Sequence, residues 1–184
     1  VFRKKDGTLH VNEPAAVGNL DHLSLPATDL IKQGFYQRNN KGSAVITTSR
    51  GCPLDCTYCS LGASSFVPYR RRSVPSVIKE LETEIIRNNV RFIDIEDENI
   101  SFDKKWFLYF LHEIRNRFAG YGPELRAMNG LLPSTIDDET VHAMQRAGYI
   151  SINRFDRKSA IESLKKASEI IKNGVSVIIF PEGT

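Results

Sequence analysis

From Ser43 onward the apolar positions switch between a strand period and a helix period. Ala44, Val45, Ile46, Thr47 and Thr48 form a short β-rich run that ends at Ser49, Arg50 and Gly51, which predicts a first strand. Val77, Ile78, Leu81, Ile85 and Ile86 then recur at helical spacing behind Ser73 as a cap and Pro75 in the first turn, so a helix runs to about Asn88. Arg91 to Ile95 predicts a second strand, closed by the acidic turn Glu96, Asp97, Glu98 and Asn99. Trp106, Phe107, Phe110, Leu111, Ile114 and Phe118 make the apolar stripe of a second helix, which Gly120 and Gly122 end. A weaker third strand spans Glu124 to Asn129, and Thr135 with Asp138 resembles a capping box for a helix reaching Ala147. Tyr149 to Asn153 predicts a fourth strand. Asp156 caps a helix with Ala160, Ile161, Leu164, Ala167, Ile170 and Ile171 on one face, and Val175 to Phe180 predicts a fifth strand.

Strands separated by single helices imply right-handed crossovers and a parallel sheet. The expected fold class is therefore α/β, as a truncated, partial parallel (βα) barrel or an open parallel sheet. In such folds chemistry sits at the C-terminal ends of the strands. The loop after strand one and the acidic turn after strand two should then share one mouth. Residues 1–42, polar and broken by Pro14, Gly18, Pro26 and Gly34, read as a linker or lead-in, 43–148 as the core, and 149–184 as a segment that completes the sheet.

Composition narrows this picture. The 184 residues carry 25 Lys and Arg against 22 Asp and Glu, with 41% hydrophobic residues, which suits one globular domain and excludes a disordered or collagen-like chain. No apolar run approaches the ~18 residues of a membrane span, and no leader pattern opens the chain, so a cytoplasmic location is the expectation. A net charge of +3 is too weak to suggest a nucleic-acid partner. The one basic run, Arg70 to Arg72, reads either as a solvated turn or as an anion contact. The chain opens at Val1 and closes behind a Phe-Pro-Glu-Gly turn, and we expect it to be a fragment or a composite.

The cysteines add most. All three lie close together, at Cys52, Cys56 and Cys59, an odd number that argues against a disulfide scaffold. Cys-x3-Cys-x2-Cys supplies three thiolate ligands. A structural zinc ion would need a fourth from elsewhere, and none of His10, His22, His112 and His142 is beside the loop in sequence. An iron-sulfur cubane can instead leave one iron open.

The run Ser49-Arg50-Gly51-Cys52-Pro53-Leu54-Asp55-Cys56-Thr57-Tyr58-Cys59-Ser60 resembles the cluster loop of radical S-adenosylmethionine enzymes. Leu25-Pro26-Ala27, Tyr69 to Ser73 and Asp94 to Asn99 resemble the subgroup that usually carries an N-terminal cobalamin domain. The resemblance covers about residues 1–148. It implies an enzyme in which Cys52, Cys56 and Cys59 hold a 4Fe-4S cluster whose open iron chelates S-adenosylmethionine, and in which reductive cleavage releases a 5′-deoxyadenosyl radical that abstracts hydrogen. Cobalamin would enter only in a longer parent protein. Tyr58 stands where the family contacts the adenine, and is otherwise a packed loop residue. Glu96 and Asp97 stand where the family contacts the methionyl ammonium, though without its glycines; the alternative is a solvated acidic turn. The implied partners are a small-molecule substrate, not readable here, and a one-electron reductant of the ferredoxin or flavodoxin type.

From about Gly148 the chain resembles the glycerol-phosphate acyltransferases, through Gly148 to Arg154, Asp156-Arg157-Lys158 and Phe180-Pro181-Glu182-Gly183-Thr184. That family also needs His-x4-Asp, and the positions five after the four histidines are Ala15, Ala27, Arg117 and Ala147. An acyltransferase fragment and a zinc-stabilised binding module are the alternative functions.

Overall fold

A computed structural model describes residues 1–12, 15–63, 68–118, 123–147, 149 and 155–172. In chain order the elements are β1 (Phe2–Arg3), β2 (Leu9–His10), β3 (Gln37–Arg38), β4 (Lys41–Ile46), β5 (Ser49–Arg50), α1 (Ser60–Ala63), β6 (Arg70–Arg71), α2 (Val74–Asn88), β7 (Val90–Ile95), α3 (Lys104–Arg117), β8 (Glu124–Ala127), α4 (Asp138–Arg146) and α5 (Arg157–Lys172).

The main sheet has the order β3-β4-β7-β8. β4 and β7 pair in parallel, as do β7 and β8, while β3 joins the edge antiparallel to β4. The expected α/β class and parallel sheet are thus present, as an open sheet among the described residues. The expected fourth strand, Tyr149 aside, and the fifth strand lie outside those residues.

Helix α2 starts where the sequence predicts it. Ser73 takes extended geometry and its side chain accepts from the Ser76 backbone N–H, which satisfies one of the orphan donors of the first turn. Asn89 ends the helix in the left-handed region at φ 50°, a conformation that asparagine tolerates. Asp103 caps α3 in the same manner, accepting from the Trp106 N–H. The cap of α4 differs from expectation: Thr135 ends a 3-10 turn, and Asp137 is the residue whose carboxylate accepts from the Thr140 N–H.

Lys104 also donates to Asp137, and these bonds hold its carboxyl at about 2 against an ordinary value near 3.8. A depressed carboxyl stabilises the fold above its unfolded pKa, and the contribution is lost as pH falls through the folded one. Acid unfolding should therefore steepen between pH 3.8 and about 2. Asp137→Asn should flatten that part of the stability profile, and an unchanged acid profile would refute the assignment.

The helices cover one face of the sheet. Ile46, Ile93 and Ile95 point into that layer and meet Val77, Ile78 and Leu81 of α2 and Phe107, Phe110, Leu111 and Ile114 of α3. Gly42 lets β4 pass the end of α2, since a Cβ there would stand 2.6 Å from the Asn88 carbonyl oxygen. Two features escaped the sequence reading. Asn39 and Asn40 both take positive φ, 51° and 60°, which is the two-residue turn that joins β3 to β4. Residues 1–42 are also tied to the core: Leu20 is buried, the Asp21 carboxylate accepts from the Ser73 N–H, and Thr28 donates to the buried Glu84 at 2.5 Å.

Candidate functional site

The cysteine loop leaves the sheet just past β4. Thr47 and Thr48, expected as strand, instead turn away, and the backbone resumes as β5, which pairs antiparallel with β6 in the register Ser49↔Arg71 and Arg50↔Arg70. This ribbon closes residues 51–69 into a loop. Gly51 at φ 79° makes the turn into Cys52, a conformation that favours glycine.

Cys52, Cys56 and Cys59 are free thiols and half-buried. The Cys59 N–H donates to the Cys56 carbonyl at 3.0 Å, one turn that brings two of the three together on the loop. Among the described residues no three His, Cys, Asp or Glu side chains gather closely enough for one metal ion. A cubane takes its cysteines on separate irons and spreads them more widely, and three thiols without a fourth ligand suit one open iron. The donor set therefore fits the cluster expected from the sequence. Tyr58 is 92% exposed, with its ring in solvent between two of the thiols.

The acidic turn after β7 separates its two carboxylates. Glu96 is exposed, and its backbone N–H donates to Ile46 at the end of β4. Asp97 is 2% exposed. Its Oδ1 accepts from the backbone N–H groups of Thr48 and Ser49 at 2.6 and 3.2 Å, and its Oδ2 accepts from the hydroxyls of the same two residues. Asp97, expected beside Glu96 as a contact for an ammonium group, has both oxygens engaged inside the protein. Glu96 alone presents a carboxylate to the mouth.

The basic run is neither solvated nor an anion site among these residues. Arg70 donates to the Val17 carbonyl, Arg71 to those of Asn99 and Ile100, and Arg72 to that of Thr47 and to Glu80. Arg71 also lies 3.6 Å from Asp97 and 4.4 Å over the Trp106 ring. Next to it Tyr69 is pushed up in pKa, first by burial.

The sheet face opposite the helices carries Val45, 63% exposed, and an ion pair that the sequence reading set aside: Arg126 of β8 donates to Asp94, its register partner on β7. A cavity of about 230 Å³ lies between this face and residues 20–26, lined in part by Val45, Thr47, Ser49, Arg50 and Pro26. No helix among the described residues is long and apolar enough to cross a membrane.

Comparison with known proteins divides the chain in the same two parts. It is 26% identical over 147 residues to an uncharacterized methyltransferase of Pyrococcus horikoshii, covering 79% of this chain and 31% of that protein. It is 27% identical over 152 residues to the anaerobic magnesium-protoporphyrin IX monomethyl ester cyclase of Rubrivivax gelatinosus, covering 77% and 27%. The chain thus spans less than a third of the length of these relatives. Its fold is like that of the radical S-adenosylmethionine methyltransferase TsrM from Kitasatospora setae, solved with cobalamin and a 4Fe-4S cluster, at a TM-score of 0.51 and 18% identity over 76% of this chain and 28% of that one. A family model described as Acyltransferase matches residues 139–184, starting within α4. A chloroplastic 1-acyl-sn-glycerol-3-phosphate acyltransferase of Brassica napus is 43% identical over 42 residues, 23% of this chain and 12% of that protein. Up to about residue 148, then, the chain resembles the radical S-adenosylmethionine enzymes, methyltransferases and a cyclase among its relatives, and beyond it the glycerol-phosphate acyltransferases.

Proposed function

We propose that residues 43–148 are the cluster-binding part of a radical S-adenosylmethionine enzyme, built on the first strands of a βα barrel. One observation carries this reading: three free thiols stand on a loop at the C-terminal end of the first parallel strand, beside an exposed carboxylate at the end of the second. Cys52, Cys56 and Cys59 hold the 4Fe-4S cluster as thiolates. When bound, the cluster supplies one electron to the sulfonium of S-adenosylmethionine, and a carbon radical results for hydrogen abstraction or methyl transfer.

The chain's own residues bind and orient. Glu96 accepts from the methionyl ammonium through charge-assisted hydrogen bonds. Tyr58 offers its exposed ring to the adenine by stacking. Asp94 and Arg126 neutralise each other on the open sheet face, so that face presents dipoles and apolar surface rather than net charge. The substrate is a small molecule, the electron comes from a ferredoxin- or flavodoxin-type partner, and the setting is cytoplasmic; cobalamin belongs to a longer parent protein alone. Residues 149–184 extend the sheet and perform no acyl transfer, because no His-x4-Asp pair occurs in the chain.

The test is anaerobic reconstitution with iron and sulfide, followed by electron paramagnetic resonance of the reduced chain with and without S-adenosylmethionine. A reduced-cluster signal that changes on adding S-adenosylmethionine is the expected result; a signal indifferent to it overturns the open-iron reading. Glu96→Gln should keep the cluster signal and weaken S-adenosylmethionine binding by about tenfold or more, the worth of one hydrogen bond to a charged group. Equal affinity in that variant would remove Glu96 from the site.

A further inference from the structure

The two strands that close the cysteine loop are only two residues each, and a ribbon that short is not stable by itself in water. Something else must hold its base. On one side, Thr48 and Ser49 give Asp97 all four of their donors, two N–H groups and two hydroxyls. On the other, Arg71 of β6 reaches the same carboxylate and the carbonyls of Asn99 and Ile100, with its guanidinium over Trp106. Both strands of the ribbon are thereby tied to the turn that carries Glu96. Cys52 lies three residues beyond Ser49, and Glu96 lies one residue before Asp97.

We propose that Asp97 is a positioning residue that clamps the base of the cysteine loop, through Thr48 and Ser49 on one strand and Arg71 on the other, and so sets where the three thiols stand relative to Glu96. This rests on the reading of the loop as the cluster site. Asp97 touches neither cluster nor ligand, because at 2% exposure neither of its oxygens faces the mouth. It acts as the outer partner of a metal ligand does, by fixing orientation, and such partners change metal affinity by about ten- to a hundredfold. The negative charge matters as well as the shape. Arg71 is buried, with a side chain 7% exposed, and Asp97 is the carboxylate beside it.

The experiment compares four variants of the whole chain. Asp97→Asn keeps the volume and removes the charge. Thr48→Val removes one hydroxyl from the other end of the clamp, and Thr48→Ser restores it. Glu80→Gln is the control: it removes the partner of Arg72, another buried guanidinium, and leaves the clamp intact. Two readouts are taken, the rate at which iron passes from the reconstituted chain to a chelator, and the rate at which iodoacetamide alkylates Cys52 and Cys56 in the cluster-free chain; thermal melting reports on folding.

Asp97→Asn and Thr48→Val should each release iron about tenfold faster and raise the alkylation rates several-fold, with Thr48→Ser near the parent. Glu80→Gln should lower the melting temperature without changing either rate. If Asp97→Asn does not fold, the Thr48 pair decides. Parental rates in both Asp97→Asn and Thr48→Val, or the same acceleration in Glu80→Gln, overturn the proposal. A parent chain that takes up no cluster sinks the functional reading, while alkylation of the cluster-free chain still decides the clamp.

Discussion

Replacing Cys56 with alanine should abolish cluster uptake while leaving the fold in place. Cys56 is a half-buried loop residue whose carbonyl, not its side chain, makes the turn to Cys59. Loss of its Sγ thus removes no core contact, and the cost in stability should stay within about 0.5 kcal/mol, as for surface changes generally. The chemical cost is of another order. With three thiols for the cubane, each holds one iron, and removing any one leaves a second iron without a protein ligand. The reduced-cluster resonance and the bound iron and sulfide should disappear from Cys56→Ala, with thermal melting unchanged. Cys52→Ala and Cys59→Ala should behave alike. A variant that keeps its signal would mean that the cysteines are not the ligands, and one that keeps stoichiometric zinc instead would restore the zinc-module reading.

The helices were legible because their information is local. Ser73 and Asp103 cap α2 and α3, and the apolar stripe from Val77 to Leu81 and from Phe107 to Ile114 repeats at 3.6 residues whatever the rest of the chain does. The β3–β4 hairpin was not, since Gln37, Arg38 and Lys41 give an edge strand no apolar alternation. Thr47 and Thr48 carry strand propensity and still leave the sheet, because Asp97, 49 residues further on, accepts from Thr48. The same non-local network hid the roles of Arg70 to Arg72, whose partners lie in four separate segments.

One signal for Asp97 was present in the sequence. Counting by two from Ile93 and Ile95 puts Asp97 on the buried side of the strand's extension and Glu96 with Asp94 on the open side, which is how the structure divides them. The alternation distinguishes two adjacent acids that composition treats as equal. It also places Arg126 opposite Asp94 once the register of β7 with β8 is known, and a single sequence does not supply that register.

Phe110→Ala should be the most destabilising single change to the core. Phe110 is 1% exposed, the largest of the fully buried side chains, and lies between α3 and the sheet. Truncation forfeits its transfer free energy and leaves a cavity, about 3 to 5 kcal/mol for a buried Phe. Native chains of this kind hold about 5 to 15 kcal/mol in total. At roughly 2 to 4 °C per kcal/mol for a chain of this size, the melting temperature should fall by about 10 °C. The urea midpoint should drop with its slope unchanged, read from the fluorescence of Trp106, the one tryptophan. Phe35→Ala, at an 81% exposed position, is the matched control, and an equal shift in the two would refute the packing argument. The consequence reaches the site. The Phe110 ring stacks on Trp106 with centroids 5.2 Å apart, Trp106 donates to the Arg72 carbonyl at 2.7 Å, and its ring carries the Arg71 guanidinium. Removing Phe110 leaves Trp106 without one face of support, and with it the cation that holds Asp97. Phe110→Ala at a temperature where it remains folded should therefore alkylate faster at Cys52 than Phe35→Ala does, linking the packing of α3 to the geometry of the thiols.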